Sequence, residues 1–313
     1  DTQTIEGGGN IDSTAYLLSW LGAFIQGADT YDELGKLSPV ITTQNDIHVQ
    51  DLMFIPNNEI PNGTQLKWAI LKYGSIDVNY NGQSTYDEVT PYYRPDTHSQ
   101  YVNVTIPPNH AVSVVGWDDN YSKDNFGLTP PGDGAWICKN TWGTGTGDHG
   151  YFYISYYCNS LNYEFYTVND EYMNLDWVYT IILNDTIRLD KNYQYDYAGP
   201  TDSYMFLNGT AIKNAFKATE DEYLAAVSTY FLQDTAYEIG IYVNGELVHT
   251  QSSTSRPGYY TINLERIIPL KANDTFEVAF KMSNLNGDYF NVYVAEKNDV
   301  TADVYRPGVS YVL

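Results

Sequence analysis

At 313 residues, the chain has room for about two domains of ~150 residues each. Sixteen basic against 39 acidic residues leave a net charge of −23, which argues against a nucleic-acid partner because phosphate binding needs clustered Lys and Arg. Apolar residues at 43% and aromatic residues at 15% exclude a disordered chain, since they are ample material for cores.

After Gly7, Gly8 and Gly9, a helix is predicted with Asn10 or Asp12 as its cap. Its stripe is Ile11, Ala15, Leu18, Gly22 and Ile25, widened by Leu17, Trp20, Leu21 and Phe24. Residues 26–60 read as loop. A second helix is predicted over Thr64–Tyr73, with Leu66, Ala69, Ile70 and Tyr73 inward and Gly74 as its stop. Ile76, Val78 and Tyr80 alternate as a strand, and 81–109 reads as a long polar connection. Residues 111–117 form an apolar run of strand length, and the Asp118-Asp119 pair after it reads as a solvated turn. Strands follow at 135–140 and 150–156, around a glycine-rich turn at 143–147. Residues 159–178 carry no pattern and read as a linker. Beyond it, strands are predicted at 224–232, 237–243, 246–251, 259–265, 275–282 and 289–295, with Asn244-Gly245 as a hairpin turn. Regular short strands with turn signals predict an all-β sandwich of jelly-roll or related type.

The 31 tyrosines suit half-buried pleated surfaces and exposed binding faces. With abundant Asn and Thr and little Lys, they point to an extracellular or cell-surface β-rich protein. Asn-x-Ser/Thr tripeptides at Asn62, Asn103, Asn120, Asn184, Asn208 and Asn273 fit a glycoprotein. Cys138 and Cys158 are the two cysteines, too few for a disulfide framework, and their spacing leaves open whether they pair. No segment reaches the ~20 apolar residues of a membrane span. No signal-peptide pattern opens the chain, so in a secreted protein Asp1 is expected to be a processed end. His48, His98, His149 and His249 show no partner pattern and read as surface residues.

Two short segments carry chemistry: Asn109-His110-Ala111-Val112 before one strand, and Lys139-Asn140-Thr141-Trp142-Gly143 closing another. A cysteine peptidase needs a thiolate, an imidazolium beside it, and a third group holding the ring. A neutral amide suffices as that group, because the thiolate–imidazolium pair is already charge-balanced. A Trp after the Asn can shield the His–Asn hydrogen bond from water and strengthen it.

In these motifs, and in the strand order around them, the chain resembles the papain-like cysteine peptidases over about residues 5–157. The resemblance implies that His110 is the general base and imidazolium partner, that Asn140 orients it and that Trp142 shields the contact. It implies that Gly8 and Gly9 bind substrate backbone, with Ile11 and Ala111 near the wall of the main specificity pocket. Thr141 replaces the family's usual Ser, and Thr146 stands where a second Trp is common. The family's nucleophilic cysteine lies on a helix N-terminus several tens of residues before the glycine pair. Only six residues precede Gly7. The cysteine, and the Gln that stabilises the oxyanion, are therefore expected on a missing or separately cleaved N-terminal segment. Cys138, with no helix N-terminus to lower its pKa, reads as packing, and so does Cys158.

The C-terminal half resembles the lectin-like domain that follows a papain-like domain in some prokaryotic surface peptidases. That second resemblance implies a cell-surface setting and leaves room for a calcium ion in the sandwich, with no ligands assigned. The expected domains are 1–165, an α+β papain-like domain lacking the nucleophile segment, and 166–313, the lectin-like sandwich. The expected function is a cysteine-type endopeptidase acting on peptide or protein substrate, with no cofactor required. The alternative is an inactive surface adhesin or envelope protein that reuses the scaffold, with glycans as ligands of the sandwich.

Overall fold

The computed structural model describes residues 10–20, 48–56, 63–82, 90–106, 108–161, 165–168, 171–174, 177–183, 189–196, 199, 202–295 and 308–313. They divide into two compact units, Met53–Ile181 on one side and Asp1–Leu52 with Ile182–Leu313 on the other. The first helix, α1 (Asn10–Leu18), belongs to the second of these.

The Met53–Ile181 unit is built on strands β1 (Asp51–Pro56), β2 (Ile76–Tyr80), β3 (Tyr93–Arg94), β4 (Ser99–Gln100), β5 (His110–Asp118), β6 (Ala135–Lys139), β7 (Tyr151–Ser155), β8 (Phe165–Val168), β9 (Glu171–Asn174) and β10 (Trp177–Ile182), with helix α2 (Thr64–Tyr73). Their sheet runs β1-β10-β2-β5-β6-β7-β4-β3, and β8 with β9 forms a separate hairpin. Period-two alternation sends Ile76, Val78, Tyr80, Val112 and Val114 into one core with Trp136, Phe152 and Ile154. Leu66, Ala69 and Ile70 of α2 enter the same core at helical spacing. Each large apolar side chain buried there contributes about 1.5–3 kcal/mol. Gly74, at φ 95°, ends α2 and donates its amide to the Ile70 carbonyl at 2.8 Å.

Two expectations are corrected in this unit. The stretch 26–60 includes β1, whose Leu52, Phe54 and Ile55 are buried; this short apolar run was masked by the polar loop around it. The segment 159–178 is no bare linker, since it holds β8, β9 and the start of β10. The Asp118-Asp119 turn is exposed, as expected, and it also makes specific contacts. Asp119 meets the Lys67 ammonium at 2.5 Å and accepts from the Tyr156 hydroxyl at 2.8 Å. Lys67, facing it, holds the Asp119 carboxyl below the usual range.

The polar connection 81–109 also has buried parts. Ser99 donates to the Asn125 carbonyl at 2.6 Å, and the Gln100 side-chain amide to the Asn81 carbonyl at 2.5 Å. Both side chains are fully buried, and these bonds offset part of the cost of desolvating them, although the Gln100 Oε1 has no partner among the described residues.

The other unit holds β11 (Asp202–Leu207), β12 (Ala211–Lys217), β13 (Glu222–Phe231), β14 (Thr235–Val243), β15 (Glu246–Ser255), β16 (Gly258–Leu270), β17 (Thr275–Asn284), β18 (Tyr289–Val294) and β19 (Ser310–Val312). A five-stranded sheet runs β15-β14-β17-β12-β19, while β13 pairs β16 and β11 pairs β18. Their inward positions, among them Phe231, Ile239, Ile241, Phe280, Met282 and Phe290, meet in one core, which makes a β-sandwich. Asn244 and Gly245 turn β14 into β15 at φ 51° and 84°, as a two-residue hairpin demands. Strands β11, β12 and β19 escaped the sequence reading because their residues are mostly exposed or half-buried and show no clean alternation.

Helix α1 stops sooner than its apolar stripe suggests, with Trp20 in the left-handed region at φ 60°. Two of its last carbonyl groups find side-chain partners in the same unit. Asn192 donates to the Leu18 carbonyl at 3.3 Å, and Ser19 donates its hydroxyl to the Ala15 carbonyl at 2.6 Å while accepting from Gln194 at 2.6 Å. Residues 21–25 lie outside the described residues. His48 is not the isolated surface residue expected, because its ring stacks on Trp20 at 4.2 Å. None of the described helices is long and apolar enough to cross a membrane.

Candidate active site

His110 opens β5, and Asn140 directly follows β6. The antiparallel register Ser113↔Lys139 brings these two strand ends to one edge of the sheet, although 30 residues separate them. There the His110 Nε2 lies 2.9 Å from the Asn140 Oδ1. That same oxygen accepts the Thr141 backbone N–H at 2.8 Å, which fixes the amide with its oxygen toward the ring. Nε2 must then be the protonated nitrogen, and in the neutral imidazole Nδ1 keeps its lone pair. The asparagine thus selects the tautomer that can take a proton at Nδ1.

Trp142 stacks on the His110 ring at 4.7 Å with 20° between the planes. Its own face remains 39% exposed, so it lies between the His–Asn bond and solvent. Beneath the imidazole lies Tyr80, its partner in the β2–β5 ladder, with ring centroids 5.7 Å apart. Tyr80 is fully buried, and its hydroxyl has no hydrogen-bond partner among the described residues. Asn109 fastens the approach to β5, accepting the Gly82 N–H at 2.8 Å and donating its own amide to the Tyr80 carbonyl at 3.1 Å.

The turn after Asn140 is glycine-dependent. Gly147 sits at φ 56°, and a Cβ there would meet the Tyr151 carbonyl oxygen at 2.3 Å. Thr146, in place of an aromatic, donates its hydroxyl to the Gly143 carbonyl at 2.9 Å and so knits the turn internally. The Asn140 amide donates to the Gly150 carbonyl at 2.9 Å and sets the asparagine backbone.

The remaining candidates lie apart from this cluster or outside view. Ala111 is exposed on the face opposite His110 and pairs with Asn79. Gly8 and Gly9 lie outside the described residues, and Ile11 is described only as backbone of α1. Cys138 is fully buried among the core side chains, and burial pushes its thiol far up. Cys158 is buried too, its thiol raised by burial and 3.4 Å from the Ser160 hydroxyl. Both are free thiols, and neither offers a thiolate to the imidazole.

Sequence reasoning placed Tyr80 on a strand and Asn109 in the motif but not their roles beside His110, which depend on ladder register. It also missed Asp77 on β2, where burial pushes the carboxyl up to about 6. An acidic residue at an outward strand position carries no such signal by itself. No group of three or more His, Cys, Asp or Glu side chains that could hold a metal occurs among the described residues. Asp221 and Asp274 near the β16–β17 turn are already engaged, by Lys271 and Asn244.

Comparison with known proteins agrees with this architecture. Residues 192–313 match the lectin like domain family. The chain is similar to the clostridial cysteine protease Cwp84 after propeptide cleavage, with 24% identity, TM-score 0.76, and 98% of this chain and 76% of that one covered. A second structure holds the cysteine protease and lectin-like domains of Cwp84, a surface layer associated protein of Clostridium difficile. It gives TM-score 0.75 at 24% identity, covering 98% of this chain and 68% of that one. At this identity the two likenesses establish the fold: a papain-like domain with a lectin-like all-β domain. A short stretch is 42% identical over 53 residues to "Probable cysteine proteinase 224L" of Invertebrate iridescent virus 6; it is 16% of this chain and spans 11% of the length of that relative. Residues 6–171, more than half of the chain and including the His110–Asn140 edge, match the papain family cysteine protease model, and the chain belongs to that family.

Proposed function

We propose that this chain supplies the imidazole and its orienting amide to a cysteine-type endopeptidase. The observation that carries this reading is the single oxygen, Asn140 Oδ1, shared between His110 Nε2 and the Thr141 amide. It leaves Nδ1 free to accept a thiol proton. The nucleophile is a cysteine other than Cys138 and Cys158, carried on an N-terminal segment that is separately cleaved or encoded ahead of Asp1. Its proton passes to His110 Nδ1, and the thiolate attacks the carbonyl carbon of an extended peptide. The imidazolium then returns the proton to the leaving amine, and water releases the acyl group by the same route. Substrate backbone lies along Gly8 and Gly9, with Ile11 and Ala111 beside one substrate side chain. Surface location, as in the surface-layer protein of the same fold, belongs to this reading.

The test is peptide hydrolysis and active-site thiol labelling of protein expressed with its full encoded N-terminal region. One labelled cysteine, with turnover lost in His110→Ala, is the expected result. No labelled thiol and no turnover would instead support a surface protein that keeps the scaffold without the reaction.

A further inference from the structure

Within the sandwich unit lies a cavity of about 560 Å³, a size typical of small-molecule sites. One wall is a rigid aromatic ledge. Tyr195 and Phe216 stack in parallel, 4.9 Å apart and 2° from coplanar, and the Tyr195 hydroxyl is tied to the Ala215 carbonyl at 2.5 Å. Phe216 stacks onward on Phe276 at 5.3 Å.

Three charged side chains reach this cavity: Lys191, Lys213 and Asp196. Both lysines are already neutralised, Lys213 by Glu277 at 2.9 Å and Lys191 by Glu222 at 2.9 Å and Glu220 at 3.2 Å. Asp196 is different. Among the described residues its carboxylate accepts only from its own backbone amide. Tyr259, on the same wall, keeps its phenol proton, since burial and the neighbouring Asp196 both raise its pKa. Burial raises the Asp196 carboxyl above the usual carboxylate range, so its ionised form in this cavity is costly until a cation or strong donor meets it. Asn214, Thr229 and Ser310 add amide and hydroxyl groups to walls that are otherwise ring and aliphatic surface. Such a mixture suits a ligand with one flat apolar face and polar groups around its rim.

We infer that this cavity binds an amino sugar in its free-amine form, the ammonium against Asp196 and the ring face against the Tyr195–Phe216 ledge. The site lies wholly inside the sandwich and does not depend on the peptidase reading.

The test is calorimetric titration of the full chain with glucosamine and its β-1,4-linked dimer. N-acetylglucosamine and n-butylamine serve as comparators. Saturable binding of the free-amine sugars is expected, weakened at least about tenfold by N-acetylation, as loss of a charge-assisted hydrogen bond requires. Asp196→Asn should weaken it by a similar factor with an unchanged circular dichroism spectrum, because the substitution keeps the side chain's shape and removes the acid that would ionise against the ammonium. Phe216→Leu should weaken it independently by removing the ring that backs Tyr195 and holds the ledge flat. Equal binding of the acetylated sugar, unchanged binding by both variants, or no saturable binding at all would overturn the assignment. Binding of n-butylamine as tight as that of glucosamine would overturn it as well, and would give the site to a lysine-like side chain instead.

Discussion

The two units place their polar chemistry in opposite ways. In the Met53–Ile181 unit, His110, Asn140 and Trp142 stand at strand ends on the rim of a sheet, half-buried or exposed. The sheet behind them is almost wholly apolar. In the sandwich, Asp196 and Tyr259 line a partly open cavity, and the lysines that share it are engaged in local ion pairs. A rim site is held by ladder register and can be reached by a large chain such as a peptide. A site walled by packed rings and strands is held by packing and suits a smaller ligand. The difference teaches that these two halves should respond differently to substitution, with activity most sensitive at the first and stability most sensitive at the second.

His110→Ala in the full-length protein is the sharpest probe of that contrast. It should lower peptide turnover by at least on the order of 10³-fold, with little change in melting temperature. A comparable loss of stability would show that the rim is structural. Asn140→Ala should follow at about 10²-fold in kcat. The His110 Nε2 proton would no longer be held, so an imidazole NMR signal of the neutral ring should show mixed tautomers. Inside the sandwich, Ile239→Ala removes a fully buried side chain, and denaturant titration should report a loss of about 2–5 kcal/mol. Turnover per folded molecule should be unchanged.

Asp77 tests electrostatics in the first unit. Its folded carboxyl titrates at about 6, above the unfolded value of 3.8, because of burial. The folded state therefore binds the proton more tightly, and stability is greatest below the unfolded pKa. It should fall as pH rises from about 4 to about 6 and then level off, by at most ~3 kcal/mol. Asp77→Asn should flatten that slope in urea titrations across the same range. Tyr80→Phe is the smallest expected effect. Its hydroxyl is buried without a partner among the described residues, so removal should leave stability within ~1 kcal/mol of the parent or slightly above it. A loss of several kcal/mol would mean that the hydroxyl has a partner in solution.

Much of the scaffold was legible from local pattern. Leu66, Ala69 and Ile70 at helical spacing, Gly74 after them, and Asn244-Gly245 between alternating runs each encode their own geometry over a few residues. The failures share one cause. Strand β1 and the hairpin β8–β9 are short runs inside polar or patternless text, and strands β11 and β19 are largely exposed. Their pairing is decided by partners far along the chain, which a local period cannot report.

By itself, the sequence determined which residues could do chemistry: a histidine opening one strand and an Asn-Thr-Trp-Gly run closing another are spelled out in order. Tertiary structure alone decided that Asn140 faces the ring with its oxygen, that Tyr80 lies beneath it and that Cys138 is sealed in the core. It alone left Asp196 without a cationic partner among the described residues while the lysines of the same cavity found glutamates. The reason is physical: a side chain's charge state and partner depend on what is within a few ångströms, and residues tens of positions apart supply most of that surrounding.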